Sequence, residues 1–124
     1  MERAEVQAML ERMFQVMDPE WEFEQRHPEF VADMPQSNER LPTREALREM
    51  QRAFGPPPAV TLRRLTGEGD TWVVEAHSDY GGDVYQTVVI FEFRDGLIAR
   101  ETRYYTQPFE TPAERAQWVE PIPG

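Results

Sequence analysis

Cysteine and lysine are both missing from this chain of 124 residues, and its thirteen basic residues are all arginine. Without cysteine there is neither a disulfide framework nor thiolate chemistry, and a cytoplasmic location is expected. Without lysine, Schiff-base and lysine-nucleophile mechanisms are excluded. The candidate chemistry is therefore restricted to the remaining ionisable side chains.

Histidine is scarce, and the common catalytic and nucleotide-binding motifs are absent. His27 and His77 are the only two histidines, which argues strongly against a metal site built from two or three of them. The chain has no glycine-rich phosphate loop, no H-E-x-x-H sequence and no G-x-S-x-G sequence. We therefore expect no metal and no cofactor.

Long hydrophobic runs are missing as well, and the charged start MERAEVQ predicts no signal peptide. We therefore expect no membrane partner. The net charge of −10 argues against nucleic acid or an anionic membrane surface as a partner. The length fits a single domain over residues 1–124, which is large enough to bury a core.

What the chain does have is a block of strand-forming residues at positions 71–106, interrupted by two tight turns. Gly81-Gly82 and Asp95-Gly96 are dipeptides that tolerate positive φ, as two-residue hairpin loops require. The runs between them are rich in Val, Ile, Phe, Tyr, Trp and Thr, which suit a pleated sheet. The block predicts a three-stranded antiparallel meander.

Alternation of side chains along the meander predicts two different faces. Counting outward from the turns places Glu75 beside Val88 and Val88 beside Arg103, so that Glu75 and Arg103 face each other. Neither face is polar throughout, which indicates that both are covered. The face of Glu75 also carries His77, Gln86, Glu101 and Tyr105, and the opposite face carries Trp72, Val74, Ala76, Tyr85, Val89, Phe91 and Tyr104.

Helical patterns flank the meander on both sides. An apolar stripe at i, i+3, i+4 predicts a helix over residues 3–17, and Thr43 as N-cap predicts a second helix that ends near Phe54. A capping box at Thr111 predicts a short helix over residues 112–119.

Two further strands are predicted before the meander, one at residues 60–65 and a short edge strand at residues 30–34. Helices that are segregated from an antiparallel sheet indicate an α+β domain.

The segment FEFRDGLIARETRYYTQPFETPAERAQWVE resembles the C-terminal part of SnoaL-like proteins, within the nuclear transport factor 2-like superfamily. The N-terminal amphipathic helix and the segments PQSNERLPTREALREM and HSDYGGDVYQTVVIFEF match the same layout. The likeness therefore spans nearly the whole chain. This superfamily hosts polyketide cyclases, ketosteroid isomerases, epoxide hydrolases, scytalone dehydratases and non-catalytic binding proteins on one scaffold.

The resemblance implies a cone-shaped, curved antiparallel sheet with the N-terminal helices packed on its concave face and a pocket between them. It also implies homodimers that form through the outer sheet face, where we expect Trp72, Phe91 and Tyr104. In the epoxide-hydrolase-like and cyclase-like members, an aspartate near the middle of the last long strand does acid/base work. Arg103 stands at the matching position here, so that activity is not carried over.

These observations favour a domain that binds a small apolar molecule and acts as an isomerase, cyclase or hydratase. Glu75 would be the base, His77 a proton relay and Arg103 the partner of an enolate or carboxylate. The alternative is a non-catalytic ligand-binding or scaffold homodimer in which Glu75 and Arg103 form a structural ion pair. Further ligand contacts are expected from Trp21, Phe30, Gln36, Gln86, Glu101 and Tyr105.

Overall fold

The computed structural model describes residues 1–55 and 57–123 as an α+β domain built on one curved, open, six-stranded sheet. The order across the sheet is β2-β1-β6-β5-β4-β3, and β1 runs parallel to β6 while the other neighbours are antiparallel. The elements are α1 Arg3–Val16, α2 Pro19–Gln25, β1 Arg26–Met34, β2 Glu39–Leu41, α3 Arg44–Ala53, β3 Ala59–Glu68, β4 Thr71–Asp79, β5 Val84–Arg94 and β6 Leu97–Thr106.

The two predicted N-terminal helices are confirmed. Helix α1 buries Val6, Leu10 and Met13 from its apolar stripe, which joins the core formed with the sheet. Helix α3 begins where the Thr43 hydroxyl accepts a hydrogen bond from the amide of Ala46, the geometry of an N-cap. Burial of these apolar stripes holds both helices against the concave face of the sheet.

Residues 19–34 form more structure than the sequence pattern predicts. Asp18 caps the short helix α2 through the amide of Glu20, and β1 follows directly. The predicted strand at residues 30–34 is part of β1, but it is not an edge strand because β2 and β6 pair with its two sides. The parallel pairing of β1 with β6 joins residues that are far apart in the chain, so the local sequence pattern does not predict it.

The first hairpin of the meander has the predicted register. The amide of Tyr80 donates to the carbonyl of Asp83 at 3.0 Å across the two-residue loop, and Gly81 adopts φ 77°. Val74 lies beside Val89 as predicted. The turn chemistry therefore fixed the pairing of β4 with β5.

The second hairpin begins in the predicted register and then departs from it. Phe93 pairs with Ile98, but Glu92 pairs with Arg100, so Ala99 is an extra residue in β6. Beyond this β-bulge Arg103 lies beside Val89, and the predicted pairing of Val88 with Arg103 is wrong. One inserted residue reverses the facing of every later side chain in the strand.

The bulge moves three polar side chains to the face that the helices cover. Glu101, Arg103 and Tyr105 lie beside Phe91, Val89 and Thr87 respectively, on the face expected to be aromatic and apolar. The helices also pack on this face, with Trp72, Val74, Ala76 and Phe91 in the core. The expectation that Glu75 and His77 act in a pocket between the sheet and the helices is therefore wrong, because Glu75, His77 and Gln86 lie on the outer face.

The short helix predicted at residues 112–119 is present, but without the predicted cap. Residues Ala113–Trp118 form a 3-10 helix that has no side-chain cap, so the predicted capping box at Thr111 is not formed. Phe109, Trp118 and Ile122 are each more than two-thirds exposed. Among the described residues, no helix has the length and apolar character needed to cross a membrane.

Deletion of Ala99 tests the bulge. Because Ala99 has no partner, its deletion leaves Glu92 opposite Arg100, Phe91 opposite Glu101 and Val89 opposite Arg103, so we expect the variant to unfold cooperatively by circular dichroism. Deletion of Thr102, which is a paired residue, is the matched control, because it turns Arg103 outward and Tyr104 into the core and should abolish the cooperative transition. Loss of the transition on deletion of Ala99 as well would contradict the bulge.

Candidate functional site

A cavity of about 800 Å³ lies between the concave face of the sheet and the helices. Most of its wall is apolar, which suits a ligand with an apolar body. Polar side chains enter the wall from α2, α3, β1 and β6. The apolar wall includes Met13, Phe14, Leu47, Met50, Val60, Val74, Ala76, Val89 and Phe91, and the polar wall includes Glu22, Arg26, Gln51, Glu101, Arg103 and Tyr105.

The polar part of the wall is organised around the carboxylate of Glu101, which is 1% exposed. Arg103 donates to Glu101 Oε1 from Nη2 at 2.6 Å and from Nε at 2.8 Å. Arg26 Nε donates to Glu101 Oε2 at 3.1 Å. Both carboxylate oxygens are therefore satisfied by guanidinium groups, the geometry that allows a charge to be buried.

A second carboxylate belongs to the same cluster but is held less closely. Glu22, on α2, is 6% exposed, and its Oε1 lies 3.5 Å from Nη2 of Arg26. Gln51, on α3, donates from Nε2 to the same oxygen at 3.0 Å. We call the cluster formed by these side chains the charge quartet. It contains two carboxylates and two guanidinium groups, those of Glu22, Glu101, Arg26 and Arg103.

The quartet shifts the pKa values of its two carboxyl groups in opposite directions. Burial alone would raise the pKa of Glu101, but the charges and hydrogen bonds of Arg103 and Arg26 hold it below its ordinary value. Burial also opposes the charge of Arg103, yet Glu101 raises the pKa of this guanidinium. For Glu22, burial outweighs Arg26 and Gln51, and its pKa is raised.

Tyrosines extend the polar wall from Arg103 toward the Gly81-Gly82 turn. Arg103 Nη1 lies 3.5 Å from the hydroxyl oxygen of Tyr105, a long contact that leaves this donor available. Tyr80 and Tyr85 pack edge to face with ring centroids 5.6 Å apart, and burial raises the pKa of Tyr80. Arg103 thus offers a hydrogen-bond donor inside a partly aromatic wall.

The structure brings three of the predicted site residues together, namely Arg103, Glu101 and Tyr105, but not around Glu75. Glu75 pairs with Arg64 on the outer face, where its side chain is 39% exposed. His77 also lies on the outer face, beside Gln86. The predicted Glu75–Arg103 contact is wrong, because the bulge puts the two side chains on opposite faces.

The remaining predicted ligand contacts lie outside the wall of the cavity. Trp21 stacks under Arg12, Phe30 is buried beneath Arg26, and Gln36 accepts a hydrogen bond from the amide of Tyr105. Phe30 and Gln36 therefore support cavity residues without facing the cavity.

Sequence reasoning missed Glu22, Arg26 and Gln51. The signal available for the first two was their i, i+4 spacing after the Asp18-Pro19 helix start. Such pairs are usually exposed, and nothing local indicates that this one is buried under β6. Within residues 1–55 and 57–123, no group of three or more His, Cys, Asp or Glu side chains is arranged to hold a metal ion.

Comparisons with known proteins agree with this architecture. The family described as SnoaL-like domain matches residues 6–101. An NTF-2 like protein of unknown function from Burkholderia xenovorans LB400 is 35% identical, with a TM-score of 0.77, over 90% of this chain and 88% of that one. A search of the curated proteins found no match.

Two more distant structures share the fold. A ketosteroid isomerase candidate from Kribbella flavida DSM 17836 is 22% identical, with a TM-score of 0.80, over 94% of this chain and 89% of that one. A candidate SnoaL-like polyketide cyclase from Jannaschia sp. CCS1 is 20% identical, with a TM-score of 0.66, over 81% and 83%. At these identities the likeness concerns the fold.

Neutralising Glu101 should destabilise the protein strongly. Glu101→Gln leaves Arg26 and Arg103 buried without their shared counter-charge, and we expect a loss of about 3–5 kcal/mol in the free energy of unfolding by urea. Glu75→Gln removes the exposed partner of Arg64 and should cost no more than about 1 kcal/mol. Equal losses in the two variants would show that the quartet is not a buried unit.

The raised pKa of Glu22 should change how the free energy of unfolding depends on pH. Because its folded pKa is raised, the stabilisation from its proton is complete below the ordinary value of 4.5 and is lost as pH rises through the folded pKa. Glu22→Gln removes this decline, so the variant should gain stability relative to the parent as pH increases above 4.5. Urea unfolding between about pH 4 and 8 measures the difference, with the exposed Glu24→Gln as control. Parallel profiles for parent and Glu22→Gln would contradict the raised pKa.

Proposed function

The chain belongs to the family of SnoaL-like domains, and we propose that it binds a small, largely apolar molecule between its sheet and helices. The observation that carries the proposal is a cavity of about 800 Å³ with mainly apolar walls and the charge quartet at its surface. Apolar walls bind the body of a ligand, and a few polar groups fix its orientation.

Arg103 is the group best placed to orient a polar substituent of the ligand. Its Nε and Nη2 are committed to Glu101, whereas Nη1 makes only the long contact with Tyr105. Because Glu101 already balances its charge, Arg103 favours a neutral acceptor such as a carbonyl oxygen over a fully charged carboxylate. The proposed ligand is therefore an apolar molecule that carries a carbonyl group.

This arrangement is compatible with acid/base chemistry on such a ligand. A guanidinium donor would stabilise the negative charge that develops on a carbonyl oxygen when a neighbouring carbon loses a proton to hydroxide from the solvent. Isomerase and cyclase are also the activities in the names of two proteins that share this fold. The proposal gives no role in the cavity to Glu75 and His77, which lie on the outer face.

Non-catalytic ligand binding is the second candidate, and the pairing within the quartet favours it. Glu101 receives three guanidinium hydrogen bonds, as a purely structural carboxylate would. The two candidates differ in one observable. An enzyme of the proposed class would exchange the α-protons of a bound ketone with D₂O faster than buffer does, and a binding protein would not.

We also propose a homodimer through the outer sheet face. Val73, Val88 and Ile90 form an apolar strip there that is only half-buried, and Tyr104, beside Val88, is 40% exposed. Of the three aromatic residues expected at the interface, Tyr104 is the one on this face, because Trp72 and Phe91 are buried in the core. A second copy would cover the strip.

Filling the cavity should abolish binding without unfolding the protein. Ala76→Phe places an aromatic ring into the cavity from the sheet, and we expect ligand-observed NMR to show at least about tenfold weaker binding of 4-acetylbiphenyl, an apolar ketone. His77→Phe, on the outer face of the same strand, is the matched control. Unchanged binding by a folded Ala76→Phe variant would place the ligand elsewhere.

The dimer can be tested independently of any ligand. We expect light scattering at micromolar concentration to give twice the monomer mass, and Ile90→Asp to give the monomer mass because it buries a charge in the contact. Gln15→Asp, at an exposed position on α1 on the other side of the sheet, should leave the dimer intact. A monomeric parent protein would contradict the proposed interface.

A further inference from the structure

We propose that Glu22 accepts a hydrogen bond from the ligand, so that the cavity selects apolar molecules that carry a hydroxyl group. The inference rests on the proposed binding function and specifies the chemistry of its ligand. It concerns a carboxylate contributed by α2, which lies beside Nη2 of Arg26 while Glu101 accepts from Nε of the same guanidinium. Glu22 would act as a specificity residue.

The first argument is the unequal sharing of positive charge within the quartet. Glu101 receives guanidinium hydrogen bonds of 2.6, 2.8 and 3.1 Å. Glu22 receives none of that length, because Arg26 lies 3.5 Å away and directs its Nε to Glu101. Glu22 is therefore the carboxylate of the quartet that retains unused capacity to accept a hydrogen bond.

The second argument concerns the two oxygens of Glu22. Oε1 faces both Gln51 and Arg26. Oε2 accepts no hydrogen bond from the residues that the structure describes, and it is not among the fully buried unpaired atoms. Since Glu22 lines the cavity, Oε2 is the oxygen within reach of a ligand.

Gln51 holds the carboxylate in this orientation. A carboxylate can only accept, so the amide must turn Nε2 toward Glu22. This leaves Gln51 Oε1 buried without a partner in the described part of the chain, an arrangement that costs stability. Gln51 is therefore a positioning residue, and its hydrogen bond fixes Oε1 while Oε2 remains free.

The surroundings make Glu22 a strong acceptor. The charged and polar groups that face it are Arg26 from β1, Gln51 from α3, and Glu101 and Arg103 from β6. Burial outweighs the groups of this set that lower the pKa of Glu22, so this pKa is raised. A more basic carboxylate accepts hydrogen bonds more strongly. The apolar wall around it, including Met13, Leu47 and Met50, further strengthens such a bond by excluding water.

A matched pair of ligands tests this inference. We would measure the affinities of 4-hydroxybiphenyl and 4-methoxybiphenyl for the protein of residues 1–124 at pH 8 by ligand-observed NMR. Both molecules have the same apolar body and an oxygen that can accept a bond from Arg103, but only the phenol has an O–H to donate. A hydrogen bond to a charged acceptor should give the phenol an advantage of about tenfold or more.

Variants show whether Glu22 provides that advantage. Glu22→Met has a similar shape but no strong acceptor, and it should equalise the two affinities. Glu22→Gln, with a weaker neutral acceptor and the same outline, should reduce the advantage and serves if the first variant does not fold. Glu24→Gln removes the same charge from an exposed site on the same helix and should leave the advantage unchanged.

A substitution of Gln51 tests whether this residue positions the Glu22 carboxylate or only packs against it. Gln51→Leu removes the hydrogen bond that lowers the pKa of Glu22, so the carboxyl signal of Glu22 in ¹³C NMR should titrate at higher pH. An unchanged titration would overturn the positioning role.

The outcomes distinguish the inference from the function on which it rests. Equal affinities of both biphenyls for the parent protein would overturn the role of Glu22 and leave cavity binding intact. An advantage that persists in Glu22→Met and Glu22→Gln would overturn it as well. If neither biphenyl binds but 4-acetylbiphenyl does, the inference fails alone, and if none of the three binds, the proposed binding function fails with it.

Discussion

The extra residue Ala99 in β6 is the feature on which the rest of the site depends. If Ala99 were instead paired with Glu92 as in a regular hairpin, every later side chain would face the other way, and Glu101 and Arg103 would point away from the helices. Because Ala99 is unpaired, β6 places the Glu101 carboxylate and the Arg103 guanidinium on the concave face. A single local irregularity therefore converts a hydrophobic core into a cavity with a charged wall.

Burial of those charges requires partners from elsewhere in the chain. Arg26, at the junction of α2 and β1, supplies the second guanidinium, and Glu22 supplies the second carboxylate. The cost of burying Glu101 is offset because both its oxygens are satisfied, whereas Glu22 is compensated only in part. The same asymmetry that stabilises one carboxylate leaves the other available to a ligand. Structural support and ligand recognition are thus separate tasks within one cluster.

Local signals in the sequence predicted much of the fold. The stripe of α1, the Thr43 cap and the two glycine-containing turns each depend on residues close together in the chain, and the register of β4 with β5 followed from its turn. The face of the sheet on which Arg103 lies could not be predicted, because nothing in the sequence at Ala99 indicates a bulge. Burial of Glu22 and Arg26 depends on distant contacts, and so does the choice of the sheet face that the helices cover. The inferred acid/base centre at Glu75 is therefore on the outer face, and the bulge puts Arg103 on the opposite one.

The register of β5 against β6 is the most direct test of this account, since every role given to Arg103 and Glu101 depends on it. Nuclear Overhauser effects between backbone protons of uniformly labelled protein report that register without any substitution. We expect cross-strand contacts that join Val89 to Arg103 and Phe91 to Glu101, with Ala99 unpaired opposite the step from Glu92 to Phe93. Contacts that join Val88 to Arg103 and Ile90 to Glu101 would contradict the bulge and the charged cavity with it.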